Sequence, residues 1–239
     1  MTWAVVTGAS GDIGQLIAQR LAEDGHDLVL HTFRRLDAAE RTAASVRECG
    51  RQAEVVQANF AGASGTEEFA AEVTARVGAV DVLVSNAASG VLRPVGELTD
   101  RHLDWTFAVN VRPLRTLATA WRPRAVVALT SPGSHRVVPA YAAVGASKAA
   151  LEALVRYLAV ELAPQTRVNA VSAGLVDTRA ARRLPDWPVI RSDALARTPL
   201  GRLVTAEDVA RVVSWLASAD STMVTGATLA IDGGRALLL

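Results

Sequence analysis

Trp3-Ala4-Val5-Val6-Thr7-Gly8-Ala9-Ser10-Gly11-Asp12-Ile13-Gly14 decides the architecture: a β-rich apolar run ends in a turn carrying three glycines, and a helical pattern opens at Asp12. Glycine lets a backbone turn tightly and approach a ligand closely, and a helix start offers unpaired N–H groups and the positive end of its dipole. A pyrophosphate fits that combination. The alternative is an ordinary strand-to-helix turn, and what counts against it is the surrounding pattern. Further strand-like runs follow at Asp27 to His31, Ala53 to Ala58, Val80 to Ser85, Ala125 to Thr130, Arg167 to Ser172 and Ala227 to Ile231. Helical patterns begin between them near Asp12, Asp37, Thr66, Thr99, Ala140 and Thr205. Several runs are apolar throughout, as strands covered on both faces are. The expectation is an α/β fold: one doubly wound domain over residues 1–239 with a seven-stranded parallel sheet.

Composition narrows the class of function. The chain has 239 residues, half of them hydrophobic, and a formal charge of +1, so a dedicated nucleic-acid binder is excluded. A lone cysteine, Cys49, cannot form an internal disulfide, and neither a leader pattern nor an apolar run long enough for a bilayer is visible. The expectation is a soluble, cytoplasmic protein with no membrane partner. His26, His31, His102 and His135 show no metal-ligand spacing, and most read as surface or capping residues. Ser131 lacks the glycine-flanked elbow of a serine nucleophile. The one long irregular stretch, Thr178 to Thr198, reads as a loop or short-helix insertion after the sixth strand, either a surface loop with solvated arginines or a lid over a ligand.

The second strand ends in His31-Thr32-Phe33-Arg34-Arg35. A carboxylate at this point would hold the ribose hydroxyls of NAD, whereas Arg34 and Arg35 suit a 2′-phosphate, so NADPH is the expected cofactor. Lys148 is the chain's single lysine among its 25 basic residues. An ammonium with three rotatable donors holds ribose hydroxyls and acts on a nearby phenol in ways a planar guanidinium does not copy. Only two tyrosines exist, Tyr141 and Tyr157. Tyr141 lies seven residues before Lys148, about two helical turns or ~10.5 Å along the axis and nearly on the same face.

These residues resemble the short-chain dehydrogenase/reductase family, whose phosphate turn is Thr-Gly-x-x-x-Gly-x-Gly on a Rossmann-type fold. Thr7, Gly8 and Gly14 match, with Ser10, Gly11 and Ile13 between them, and Asp12 replaces the middle glycine. A carboxylate there would repel a pyrophosphate unless it points away or caps the helix. The resemblance places Asn59 and Phe60 beside the adenine and Asn86, Ala87 and Ala88 beside the adenine ribose. Asn110, in Val109-Asn110-Val111, looks like the asparagine that kinks its helix and holds a water near the lysine. Ser131 stands where the family has its serine, and Gly174, Val176 and Thr178 stand where it meets the nicotinamide carboxamide.

Most of the family carries its tyrosine four residues before the lysine, where this chain has Val144. The Tyr141 to Lys148 spacing is similar instead to that of enoyl-acyl-carrier-protein reductases, most closely the NADPH-dependent type III branch. Chemistry accounts for the displacement. In an enoyl thioester, hydride lands on Cβ while charge grows on an oxygen three bonds away, so the phenol must stand further out, by ~4.5 Å for three residues of helix. The resemblance thus implies an NADPH-dependent reductase of an enoyl thioester carried by acyl carrier protein or coenzyme A, assembled as a homodimer or homotetramer. Two alternatives stand beside it: a 3-oxoacyl or polyketide ketoreductase, and a non-catalytic NADP-binding sensor.

Overall fold

The computed structural model describes residues 2–238. Seven parallel strands, β1 (Trp3–Val6), β2 (Asp27–Thr32), β3 (Ala53–Gln57), β4 (Val82–Ser85), β5 (Ala125–Thr130), β6 (Arg167–Ala173) and β7 (Thr228–Ile231), form one sheet in the order β3-β2-β1-β4-β5-β6-β7. The helices are α1 (Asp12–Glu23), α2 (Leu36–Glu48), α3 (Gly65–Val77), α4 (Asp100–Asn110), α5 (Arg112–Trp121), α6 (Ala142–Glu161), α7 (Trp187–Ala196) and α8 (Ala206–Ala217).

Alternation along the strands sends side chains to two cores. Ala4, Val6, Leu28, Leu30, Val82 and Val84 pack against α1, α2 and α8 through Ile17, Leu21, Val46, Val209, Val213 and Leu216. Val5, Val29, Leu83 and Val126 face the other way, onto Phe69, Val73, Leu114, Leu117, Leu151 and Val155 of α3, α5 and α6. Both faces being covered explains why these strands are apolar throughout. The strand order reverses between β1 and β4, and the crevice beyond the carboxyl ends of strands at such a reversal is where open α/β sheets bind ligands. The expected fold is therefore the observed one.

Two helices lie outside the six starts legible in the sequence, one of them in the stretch that reads as a loop or a short-helix insertion. The stretch after Asn110 forms α5, and part of the Thr178 to Thr198 segment forms α7, preceded by a single 3-10 turn at Ala181–Arg183. Each of these helices carries a proline in its first turn, Pro113 and Pro188. A first-turn N–H has no partner within its own helix, so proline sits there at no cost. The starts read at Thr99 and Thr205 are caps: each hydroxyl accepts from the backbone N–H three residues on, His102 and Asp208, whose side chains accept from the cap N–H in return.

Candidate active site

The glycine turn between β1 and α1 is built by close packing. Gly8 has φ +67°, and a Cβ on it would lie 2.9 Å from the Ala87 Cα; one on Gly14 would lie 2.4 Å from the Gly8 carbonyl oxygen. The Thr7 hydroxyl accepts the N–H groups of Asn86 and Ala87, both at 2.9 Å, and the Asn86 amide donates to the carbonyls of Thr7 (2.9 Å) and Gly8 (3.2 Å). Asn86 is thereby a brace that fixes the turn rather than a side chain open to a ribose; Ala88 beside it is exposed. No side chain caps α1, so its first N–H groups are left without a side-chain partner, and Gly8, Gly11 and Gly14 in and beside the turn carry no Cβ. That cradle fits a pyrophosphate.

His31 supports the turn from below. It is buried, its Nδ1 accepts the Gly8 N–H at 3.1 Å, and its Nε2 lies 3.1 Å from the Ala58 carbonyl. Desolvation holds it neutral, lowering its pKa to about 4 against the opposing hydrogen bond to Ala58. Its ring stacks on Phe60 at 4.0 Å, and Phe60 meets Phe69 edge-on. Two expectations are corrected here. His31 is a core residue, outside the surface or capping reading given to most of the histidines, and the Phe60 ring is buried against His31 and Phe69, which leaves its side chain little free surface for an adenine.

Other residues assigned to the cofactor are placed as follows. The Asn59 carboxamide oxygen accepts the Ala61 N–H, a local turn at an exposed position. The Ser10 hydroxyl shares a hydrogen bond with Thr32, and the Ser10 carbonyl accepts from Arg35 Nη1 at 2.8 Å. Arg34 stacks over Phe33, leaving its guanidinium at the surface end of β2. Gly174 presses against Asp232, Val176 is bridged to Val204, and the Thr178 hydroxyl accepts the Ala181 N–H. Asp12 is paired with Arg179, whose backbone N–H and Nε both donate to it at 2.7 Å.

Tyr141, Ser131, Lys148 and Asn110 converge at the carboxyl ends of β4 and β5. Tyr141 is the residue before α6, and its hydroxyl lies 3.4 Å from the Ser131 Oγ. Burial pushes the phenol's pKa up, against the opposing hydrogen bond from Ser131, so it remains a donor across the ordinary pH range. The ring lies in a slot made by glycine: a Cβ on Gly133 would sit 2.7 Å from both Cδ1 and Cε1, and one on Gly145 would strike the Gly133 carbonyl at 2.5 Å. Nothing local in the sequence marks Gly133, because the slot closes only when the loop after β5 folds onto α6.

Lys148 is 5% exposed and donates to the Leu129 carbonyl at 2.7 Å. Desolvation depresses its pKa to about 8, with the Glu152 carboxylate opposing the shift. Glu152 itself accepts from the Thr130 hydroxyl at 2.7 Å, tying α6 to the residue before Ser131. Asn110 ends α4 at the break before α5; its side chain accepts the Ser89 N–H at 2.8 Å and donates to Ser147 Oγ at 2.9 Å. Val144, at the position four before the lysine, is buried, with its Cγ2 where a Cβ on Gly90 would be, 2.1 Å away. That position holds an aliphatic side chain packed on Gly90 and supplies no hydroxyl.

A family profile described as "Enoyl-(Acyl carrier protein) reductase" matches residues 8–236. A 1-cyclohexenylcarbonyl-CoA reductase from Streptomyces collinus is 35% identical over 98% of this chain and 87% of its own. The chain belongs to the short-chain dehydrogenase/reductase family. Within this family of oxidoreductases it is also similar to an L-xylulose reductase from Bos taurus, 34% identical over 97% of this chain and 95% of that one. Two solved structures share its fold. A 7α-hydroxysteroid dehydrogenase complexed with NADH superposes with a TM-score of 0.90 at 26% identity, covering 98% of this chain and 93% of the other. A blue fluorescent protein from a metagenomic library, in complex with NADPH, gives 0.89 at 30% identity, covering 98% of each chain. Among the described residues no cluster could hold a metal ion, and no helix is long and apolar enough to cross a membrane.

Proposed function

We propose that the protein is an NADPH-dependent reductase of α,β-unsaturated acyl thioesters. The observation that carries this reading is the placement of the phenol: Tyr141 reaches Ser131 from the start of α6, while the position nearer Lys148 holds Val144, packed on Gly90. A donor set back along the helix suits an oxygen remote from the carbon that is reduced. The Streptomyces collinus relative supports it, since the name of its substrate describes a ring double bond conjugated with a thioester carbonyl. When bound, the reduced nicotinamide supplies the hydride.

The chain's own residues divide the remaining work. Tyr141 donates its hydroxyl hydrogen bond to the thioester oxygen as charge grows there, with Ser131 fixing the hydroxyl's direction. Lys148 holds the nicotinamide ribose, kept in place by the Leu129 carbonyl. Arg34 meets the 2′-phosphate, because Arg35 is already held by the Ser10 carbonyl. Acyl carrier protein or coenzyme A as carrier, and a homodimer or homotetramer in solution, belong to the same reading.

Following NADPH oxidation with crotonyl and acetoacetyl thioesters in parallel tests it. Turnover of the crotonyl thioester, with NADPH preferred over NADH, is the expected result. Turnover of acetoacetyl thioester alone would favour the carbonyl reductase, a second reading supported by the L-xylulose reductase relative. Tight NADPH binding without turnover of either would favour a sensor.

A pH dependence follows from Lys148. Its folded pKa of about 8 lies below the ordinary lysine value, so the ammonium is lost as pH rises through 8 and is fully present below about 7. NADPH affinity is expected to fall over about pH 7.5 to 9. Fluorescence titrations across that range check it, and a flat profile would remove the ammonium from the binding step.

A further inference from the structure

Asp12 is the residue by which this chain departs from the glycine turn of its family, and it is not left as an isolated acid. It begins α1, at the end where an incoming anion would meet the helix dipole. Its two oxygens are taken by the backbone N–H and Nε of Arg179, from a segment 167 residues away that leads into the 3-10 turn at Ala181–Arg183. The Arg179 guanidinium also reaches the Ser10 carbonyl at 3.4 Å, the same acceptor that Arg35 uses. Burial would raise the Asp12 carboxyl, but the Arg179 hydrogen bonds and charge, with a contribution from Arg35, hold it below its ordinary value, so it stays ionised.

A carboxylate alone at this helix start would compete with a pyrophosphate for the same N–H groups and repel it. A carboxylate sharing a guanidinium through two charge-assisted hydrogen bonds does neither to the same extent. The segment that carries Arg179 is fastened internally as well, with Asp177 accepting from Arg182 at 2.6 Å and from Arg191 at 3.4 Å. Asp12 therefore holds not one loose side chain but the near end of a cross-linked loop.

We propose that Asp12 and Arg179 act as a charge-matched strap: Arg179 cancels Asp12 at the pyrophosphate turn, and their pairing fastens residues 178–183 over the bound dinucleotide. The glycine that the family uses to keep this place empty is replaced here by an ion pair that ties turn to loop. Arg179 and Asp12 are positioning residues whose effects are linked: losing the arginine exposes a repulsive carboxylate, and losing both charges restores a neutral turn. This rests on the dinucleotide reading of the turn and not on the choice of acyl substrate.

The test is a double-mutant cycle on dinucleotide binding, read by NADPH fluorescence without any thioester; if the wild type prefers NADH, the same cycle is run with NADH. Arg179→Ala is expected to weaken binding about tenfold or more, and Asp12→Asn with Arg179→Ala to return to within about threefold of wild type. Wild-type affinity in Arg179→Ala, or a double variant as weak as that single variant, would overturn the proposal. Trypsin supplies a second readout in the dinucleotide-free protein. Cleavage at Arg182 and Arg183 is expected about fivefold faster in Asp12→Asn than in wild type, because opening of the segment is then less restrained. An unchanged cleavage rate would sink the strap.

Discussion

On the proposed reading, Tyr141→Phe is expected to reduce turnover of an enoyl thioester by about 10²- to 10³-fold, the loss typical of removing one donor from a developing oxyanion, with NADPH affinity near wild type. The change deletes one oxygen atom. The ring keeps its slot over Gly133, and the residues that brace the glycine turn are untouched. Ser131 loses a partner 3.4 Å away, but it lies near the surface of the crevice, where water can replace the bond. Steady-state rates together with an NADPH titration therefore separate this residue's role from a structural one. Unchanged turnover would remove Tyr141 from the chemistry and leave the chain without an acid at this end, since Tyr157 is 69% exposed on the outer face of α6.

The second large effect lies at the other end of the crevice. In Gly14→Ala the added methyl would stand 2.4 Å from the Gly8 carbonyl oxygen, 2.8 Å from the Asn86 amide nitrogen and 3.0 Å from the Ala9 Cα. Two of those three atoms are backbone, so the turn itself must move. The turn is pinned by Thr7, Asn86 and His31, and it cannot shift without breaking hydrogen bonds. The expected cost is about 3 kcal/mol of stability, near the upper end for overpacking. That corresponds to a fall of about 8 °C in Tm for a domain of this size, with NADPH binding lost. Gly96→Ala is the control, because nothing lies within 4 Å of the added methyl, and it should change neither quantity. Thermal melts with and without NADPH check both outcomes, and a Gly14→Ala protein that still binds NADPH normally would refute the cradle.

The two ends differ in how much of them the sequence discloses. The alternation of apolar runs with helical patterns yields all seven strands, because a sheet covered on both faces leaves an unbroken apolar record. Tyr141 and Lys148 are legible for a different reason: rarity and spacing along one helix are one-dimensional properties. The proline in the first turn of α5 and α7 blurs where each begins, since the same residue ends a helix in its interior and begins one at its start. His31 and Phe60 are hidden because stacking joins the end of β2 to the segment after β3 only once those strands pair. Gly133, Gly145 and Gly90 share that difficulty: each is defined by what it leaves room for, the Tyr141 ring, the Gly133 carbonyl and Val144 respectively.

The burial of Lys148 against the Leu129 carbonyl has a practical corollary. In a chain whose other 24 basic residues are arginines, an amine-directed reagent has one side chain to attack, the α-amino group aside, and that target lies at the heart of the crevice. Acylation of this protein, followed by intact mass, is thus a single-site clock for how often the catalytic pocket breathes open, and anything that fills the pocket should slow it.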